Sequence, residues 1–251
     1  MKSLQLVTPA QVCLFNCPYC VSKTRNVSFP NIVESDYPLY RKRLSALLQE
    51  YPDLSCVVIT GTNDPSQSPE YVKKISALIK RERPDIQVEL QTRKYQGLKD
   101  LAANIDVIAY SIDQYESLGK PEVLTGLINR YTIILTASFN GKRLLTDILA
   151  KVPPGVSQLT FKVLYQGNQA SKAFENDQAQ EINAWIAANS LDSETLTGLE
   201  NDIKTLTDSP YSLFFDRSCM EAEGRYQVFR EDGGLYQNWD SQQALNSAEV
   251  K

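Results

Sequence analysis

The chain has 251 residues and a formal net charge of -4, a length that is enough for one α/β domain with a full core. The acidic balance excludes a broad basic nucleic-acid surface. The sequence also lacks an apolar run of the roughly 18 residues that a membrane-spanning helix needs. It contains five cysteines and no histidine, so acid–base steps fall to other side chains or water.

Apolar runs alternate with helical patterns through the first two thirds of the chain. Six strands are expected at residues 4–8, 54–60, 86–92, 105–112, 132–138 and 158–165. Helices are expected at residues 37–50, from residue 69 onward, and at 98–104, 121–129 and 144–151. This alternation predicts a parallel sheet covered by helices. Six β/α units are too few for a closed eight-stranded barrel, so we expect an α/β fold of the open, partial (β/α)6 TIM type.

Two regions are expected along the chain. Residues 1–170 form the partial barrel core, and residues 171–251 form C-terminal helices and a small β-hairpin that pack on or cap the barrel. The helices are expected at 175–189 and 192–206, and strands at 211–215, 226–230 and 235–239. Asp232-Gly233-Gly234 predicts the tight turn of the hairpin, and the polar tail 240–251 is expected to fray.

Three of the five cysteines, Cys13, Cys17 and Cys20, lie in one short loop after the first strand with the spacing C-x3-C-x2-C. Three thiolates held this closely can bind three irons of a [4Fe–4S] cluster and leave the fourth iron open. A zinc site is the alternative, but zinc takes four ligands, and the fourth would be the distant Cys56 or Cys219. A disulfide framework fits small secreted chains better, and the chain does not start with a signal-like apolar run.

This spacing, with the aromatic Tyr19 directly before the last cysteine, closely resembles the cluster loop of the radical S-adenosylmethionine (SAM) enzymes. The resemblance implies one [4Fe–4S] cluster per chain, with SAM bound at the open iron through its amino and carboxylate groups. It further implies reductive cleavage of SAM to methionine and a 5′-deoxyadenosyl radical, which abstracts hydrogen from a substrate. The same partial barrel and an electron donor such as flavodoxin or ferredoxin are implied too.

The loop after the second strand, Gly61-Thr62-Asn63-Asp64-Pro65, is similar to the Gly-x-Gly-Glu-Pro motif that receives the amino group of SAM in that family. Asn63 stands in place of the second glycine, and Asp64 in place of glutamate. A carboxylate near a bound amine is chemically suited to this role. The alternative is an ordinary turn, since all these residue types favour turns.

The resemblance also assigns SAM contacts to residues in the cluster loop and at the other strand ends. They are Tyr19, Arg93, Ser111, Ser138, Asn140 and Leu164. The small hydroxyls of Ser111 and Ser138 suit ribose, and Arg93 suits the carboxylate of SAM or a substrate anion. The alternative is that these are the polar strand ends common to any barrel.

The region after the sixth strand departs from family members that carry additional clusters, because Cys219 is its only cysteine. Cys219 is interpreted either as a catalytic hydrogen-atom donor or as a buried small apolar residue, and Cys56 as a core residue. The segment 221–239 is either a lid that presents Arg and Tyr to the substrate or an edge hairpin.

The sequence therefore predicts a cytoplasmic radical SAM enzyme without a membrane partner. Three substrate classes stay open: a ribosomally made peptide, a partner protein that receives a glycyl radical (an activase role), and a nucleotide or tRNA base. The alternative of another class is a non-catalytic metal-binding or redox-sensing protein.

Overall fold

A computed structural model of the chain describes residues 3–8, 13–15, 17, 20, 37–61, 63–134, 136–139, 145–162, 190–195, 202–206, 212–216, 226–239 and 241–245. For residues 137, 145, 146, 162, 190–195, 202–206 and 212–216 it describes the backbone alone. The expected helix at 175–189 lies outside the described residues, as does most of the tail after residue 240.

A single mixed sheet organises the described part of the chain. Its strands are β1 Ser3–Thr8, β2 Cys56–Gly61, β3 Gln87–Thr92, β4 Val107–Ile112, β5 Ile128–Ile134, β6 Val156–Lys162, β7 Ser190–Thr195, β8 Asp202–Leu206, β9 Ser212–Asp216, β10 Gln227–Phe229 and β11 Leu235–Tyr236. Their order is β11-β10-β1-β2-β3-β4-β5-β6-β9-β8-β7. The strands from β10 to β9 in this order pair in parallel, while β11, β8 and β7 pair antiparallel. The predicted open, mainly parallel α/β sheet is thus confirmed.

The core lies between one face of this sheet and its helices. The helices are α1 Tyr37–Glu50, α2 Pro69–Glu82 and α3 Leu145–Lys151. The helices predicted at 37–50 and from residue 69 are confirmed, and each buries one apolar face: Leu44 and Leu48 of α1 and Val72, Ile75 and Ile79 of α2 all lie in one buried cluster. None of the helices in the described part of the chain combines the length and apolar character needed to cross a membrane.

The prediction of a helix at 121–129 is wrong. This segment is a loop with a turn at Gly126, whose φ of 84° is in the left-handed region. The side chain of Asn129 accepts from Leu124 N at 2.9 Å and donates to the carbonyls of Leu124 at 2.9 Å and Leu127 at 3.2 Å. These bonds replace helical ones. Strand β5 therefore starts at Ile128, earlier than the predicted residue 132.

The prediction of a helix at 192–206 is also wrong, because this stretch contains the end of β7 and all of β8, paired antiparallel. The sequence between them contains Gly198 and Asn201, residue types that favour turns over helix interiors. Strand β8 then pairs with β9, which confirms the strand predicted at 211–215.

The C-terminal hairpin extends the sheet beside β1. Strand β10 pairs in parallel with β1, and β11 pairs with β10. Gly233 closes the turn with a φ of 72°. The guanidinium of Arg230 lies 3.8 Å from the centroid of the Tyr236 ring and donates to the carbonyl of Trp239 at 2.8 Å. Strand β11 is the edge strand of the described sheet, and Arg230 is engaged within the hairpin.

Candidate functional site

The cysteine loop follows β1 and so leaves the sheet at the carboxyl edge of its parallel strands. Cys13, Cys17 and Cys20 are half-buried thiols that are not in disulfides. Cys56, in contrast, is buried within β2, and burial raises the pKa of its thiol well above the ordinary range. Cys56 is therefore an inert core thiol, as predicted, whereas the loop cysteines remain accessible for metal binding.

The amide of Gln67 contacts the loop at its first cysteine. Gln67 ends a short 3-10 turn, Pro65–Gln67, that follows β2. Its Nε2 lies 3.7 Å from Cys13 Sγ, and its Oε1 accepts from Leu14 N at 3.2 Å. Sequence reasoning missed Gln67, although it lies only three residues after Asp64, in the same loop.

The guanidinium of Arg93 contacts the loop at its second cysteine. Arg93 follows β3, and its Nη1 donates to Cys17 Sγ at 2.6 Å. Its Nη2 pairs with Asp113 Oδ1, just after β4, at 2.5 Å. The guanidinium carbon also lies 5.8 Å from the centroid of the Phe15 ring. The ends of β3 and β4 are thus joined to the cysteine loop, and a cation is placed on one of its sulfurs.

The carboxylate of Asp64 fixes the loop after β2 to the end of β3. Its Oδ1 accepts from Ser66 N at 2.9 Å, Ser66 Oγ at 2.7 Å and Thr92 Oγ1 at 2.7 Å. Its Oδ2 accepts from Arg93 N at 2.5 Å. Asp64 is therefore the N-cap of the 3-10 turn, and it also holds the backbone of Arg93 in place.

Gly61 allows this loop to pack closely against the end of β1. A Cβ atom on Gly61 would lie 2.7 Å from Thr8 Oγ1 and 3.0 Å from Asn63 O. Thr8 Oγ1 in turn donates to Thr60 O at 3.1 Å and to Asn63 Oδ1 at 3.3 Å. The side chain of Thr8 thus connects the end of β1 to Thr60 and Asn63, on either side of Gly61.

The two predicted ribose contacts lie at the ends of the next strands. Ser111 is in β4, where its carbonyl accepts from Tyr95 Oη at 3.1 Å. Ser138 Oγ accepts from Tyr115 N at 3.0 Å. The other predicted contacts, Tyr19, Thr62, Asn140, Leu164 and Cys219, lie outside the described residues.

Among the residues that the structure describes, no group of three or more Cys, Asp or Glu is arranged so that it could hold a metal ion. The donor set nevertheless fits an iron–sulfur cluster in kind, because such clusters take thiolate ligands. Cys13 and Cys17 also receive side-chain N–H donors, as metal-bound thiolates commonly do.

No protein-family model matches the chain, and no curated protein matches it. Among solved structures, the chain is similar to BtrN in complex with AdoMet and 2-DOIA, with 14% sequence identity and a TM-score of 0.34. The match covers 44% of this chain and 45% of BtrN, less than half of either protein.

Proposed function

We propose that the chain is a radical SAM enzyme that holds one [4Fe–4S] cluster through Cys13, Cys17 and Cys20. The observation that carries this proposal is the placement of three reduced thiols at the carboxyl edge of a parallel sheet, with the Arg93 guanidinium on one of their sulfurs. Ligand sites in open α/β sheets lie at this edge. The C-x3-C-x2-C spacing of the three cysteines, which resembles that of the radical SAM enzymes, also supports the proposal.

The cluster, when bound, would supply the electron that cleaves SAM into methionine and a 5′-deoxyadenosyl radical. The protein's own residues prepare its site. Gln67 and Arg93 donate to the sulfurs of Cys13 and Cys17, while Asp64 and Asp113 hold Arg93.

SAM is proposed to lie beside this loop, along the ends of β2 to β6. Its amino group would bind at the Gly61-to-Asp64 loop, which is similar to the motif that receives this group in the radical SAM enzymes. The Asp64 carboxylate already accepts four protein hydrogen bonds. It would therefore attract the positively charged amino group of SAM mainly through its negative charge. The remaining proposed contacts are Tyr19, Arg93, Ser111, Ser138, Asn140 and Leu164.

A ribosomally made peptide is the proposed substrate, and a flavodoxin or ferredoxin the proposed electron donor in the cytoplasm. Cys219 is either a hydrogen-atom donor or a buried small apolar residue. An activase or a nucleotide- or tRNA-modifying enzyme is the alternative within the same chemistry. These assignments are tested by measuring 5′-deoxyadenosine formation with each class of substrate, followed by deuterium transfer into the 5′-deoxyadenosine.

The proposal is tested by anaerobic reconstitution with iron and sulfide. The wild-type protein should bind about four irons per chain and form 5′-deoxyadenosine from SAM with dithionite. Cys17→Ala should lose both properties. Cys56→Ala is the matched control, since it removes a buried thiol outside the loop, and it should retain both. Full SAM cleavage by Cys17→Ala would contradict the proposal, and zinc in place of iron would favour a non-catalytic metal-binding or redox-sensing protein.

A further inference from the structure

The Arg93 side chain is held from several directions at the sulfur of Cys17. Its backbone N–H is bound by Asp64 and its guanidinium by Asp113, in both cases at 2.5 Å. The Phe15 ring lies beside the guanidinium carbon. The side chain of Asp113 is only 8% exposed and that of Arg93 19%, so solvent screens this pair weakly. Arg93 is therefore in a fixed position rather than a mobile surface cation.

A positively charged hydrogen-bond donor at a cluster-ligating sulfur changes the free energies of the oxidised and reduced cluster by different amounts. The reduced cluster carries one more negative charge, so a hydrogen bond from a guanidinium stabilises it more than the oxidised form. Hydrogen bonds to cluster sulfurs are among the features that set the reduction potential. Gln67 makes the corresponding contact to Cys13 Sγ at 3.7 Å, but its amide is neutral whereas the Arg93 guanidinium is charged.

We propose that Arg93 is a positioning residue that raises the reduction potential of the cluster by donating to Cys17 Sγ, and that Asp113 holds it in this position. The inference rests on the proposed function, because it requires the cluster. This role of Arg93 cannot be predicted from the spacing of the cysteines. Gln67 is a second, weaker donor, to Cys13 Sγ. The expected order of effects on the potential is Arg93 first, Asp113 next and Gln67 last.

The test is a redox titration of the reconstituted protein, followed by electron paramagnetic resonance (EPR). Arg93→Gln should shift the potential to more negative values by about 59 mV, which for a one-electron couple is a tenfold loss in the equilibrium towards the reduced cluster. Asp113→Asn should shift it in the same direction by less. Arg81→Gln is the charge-matched control, since Arg81 lies on α2 with its side chain 62% exposed, and it should keep the wild-type potential.

The rate at which a chelator removes iron is the second measurement, because loss of supporting contacts to metal ligands typically weakens metal binding by 10- to 100-fold. Arg93→Gln should release iron about tenfold faster than wild type. If Arg93→Gln loses its fold or assembles no cluster, Asp113→Asn decides the question by the same two measurements.

Two results separate this inference from the proposed function. A wild-type protein that binds no iron would overturn both. A wild-type protein with a cluster, beside Arg93→Gln and Asp113→Asn variants that have unchanged potentials and unchanged iron release, would overturn only the role of Arg93. The proposed enzyme would then stand, with Arg93 left as a structural link between β3 and β4.

Discussion

At the scale of single residues, Gly61 determines how closely the loop after β2 packs on β1. Gly61→Ala should destabilise the protein by about 1–3 kcal/mol, the usual cost of overpacking, because its Cβ would clash with Thr8 Oγ1 at 2.7 Å. It should also lower SAM binding. The matched control is Gly119→Ala, where the nearest atom to the new Cβ is Lys151 O at 4.0 Å. Urea unfolding of both variants measures the difference, and equal stabilities would contradict the packing argument.

Glu231 makes the stability of the protein depend on pH. Burial raises the pKa of its carboxyl to about 8, and neither of its oxygens has a hydrogen-bond partner among the described residues. The folded state therefore keeps a proton that the unfolded state has lost above its ordinary pKa of about 4.3. Between about pH 5 and 8 the free energy of unfolding should thus fall as pH rises, by up to about 1.4 kcal/mol per pH unit.

Glu231→Gln removes this titration while keeping the size of the side chain. The variant should be more stable than wild type at pH 7.5 and nearly equal to it at pH 5. Urea unfolding at these two pH values is the measurement. A wild-type protein whose stability rises over this range, or a Gln variant with an unchanged pH slope, would show that Glu231 is already ionised in the folded state.

At the scale of the secondary-structure elements, a buried ion pair joins two strands of the sheet, and a hydrogen bond from the same arginine joins a third. Arg130 of β5 donates to Glu89 of β3 across β4, where its register partner is the small Ala109. Arg130 Nε also donates to Gln158 of β6 at 2.9 Å. Removing one charge, as in Glu89→Gln, should cost about 3–5 kcal/mol, because the other charge stays buried.

Replacing both charges tests whether the pair itself is stabilising. Glu89→Leu combined with Arg130→Met should be close to wild type in urea unfolding, since apolar replacements of a buried ion pair are often neutral or stabilising. A double variant as unstable as Glu89→Gln would instead show that the pair contributes net stability to this sheet.

The strands and helices also show which parts of the fold can be predicted from local sequence. Near-continuous apolar runs such as Val57-Val58-Ile59 predict buried parallel strands, because both of their faces are covered. The helix predicted at 121–129 fails because Asn129 binds the backbone of Leu124 and Leu127, which apolar spacing does not reveal. The parallel pairing of β10 with β1 joins Gln227 to Leu4, and contacts across such a sequence distance are not encoded in any local pattern.

At the scale of the whole molecule, the site is assembled at one edge of the sheet from distant segments. The three cysteines and the Gly61-to-Pro65 loop are predicted site residues because each forms a local motif directly after a predicted strand. The contact of Arg93 with Cys17 spans 76 residues and that of Gln67 with Cys13 spans 54. Parallel topology creates both contacts, since it brings the ends of β1, β2 and β3 together.

The central claim, a three-cysteine cluster with an open iron that binds SAM, is tested most directly by the EPR spectrum of the dithionite-reduced, reconstituted protein before and after SAM is added. We expect a cluster signal that changes in shape with SAM, because SAM binds at the iron that lacks a cysteine ligand. A cluster signal that SAM leaves unchanged, or a folded protein that gives no cluster signal, would contradict the claim.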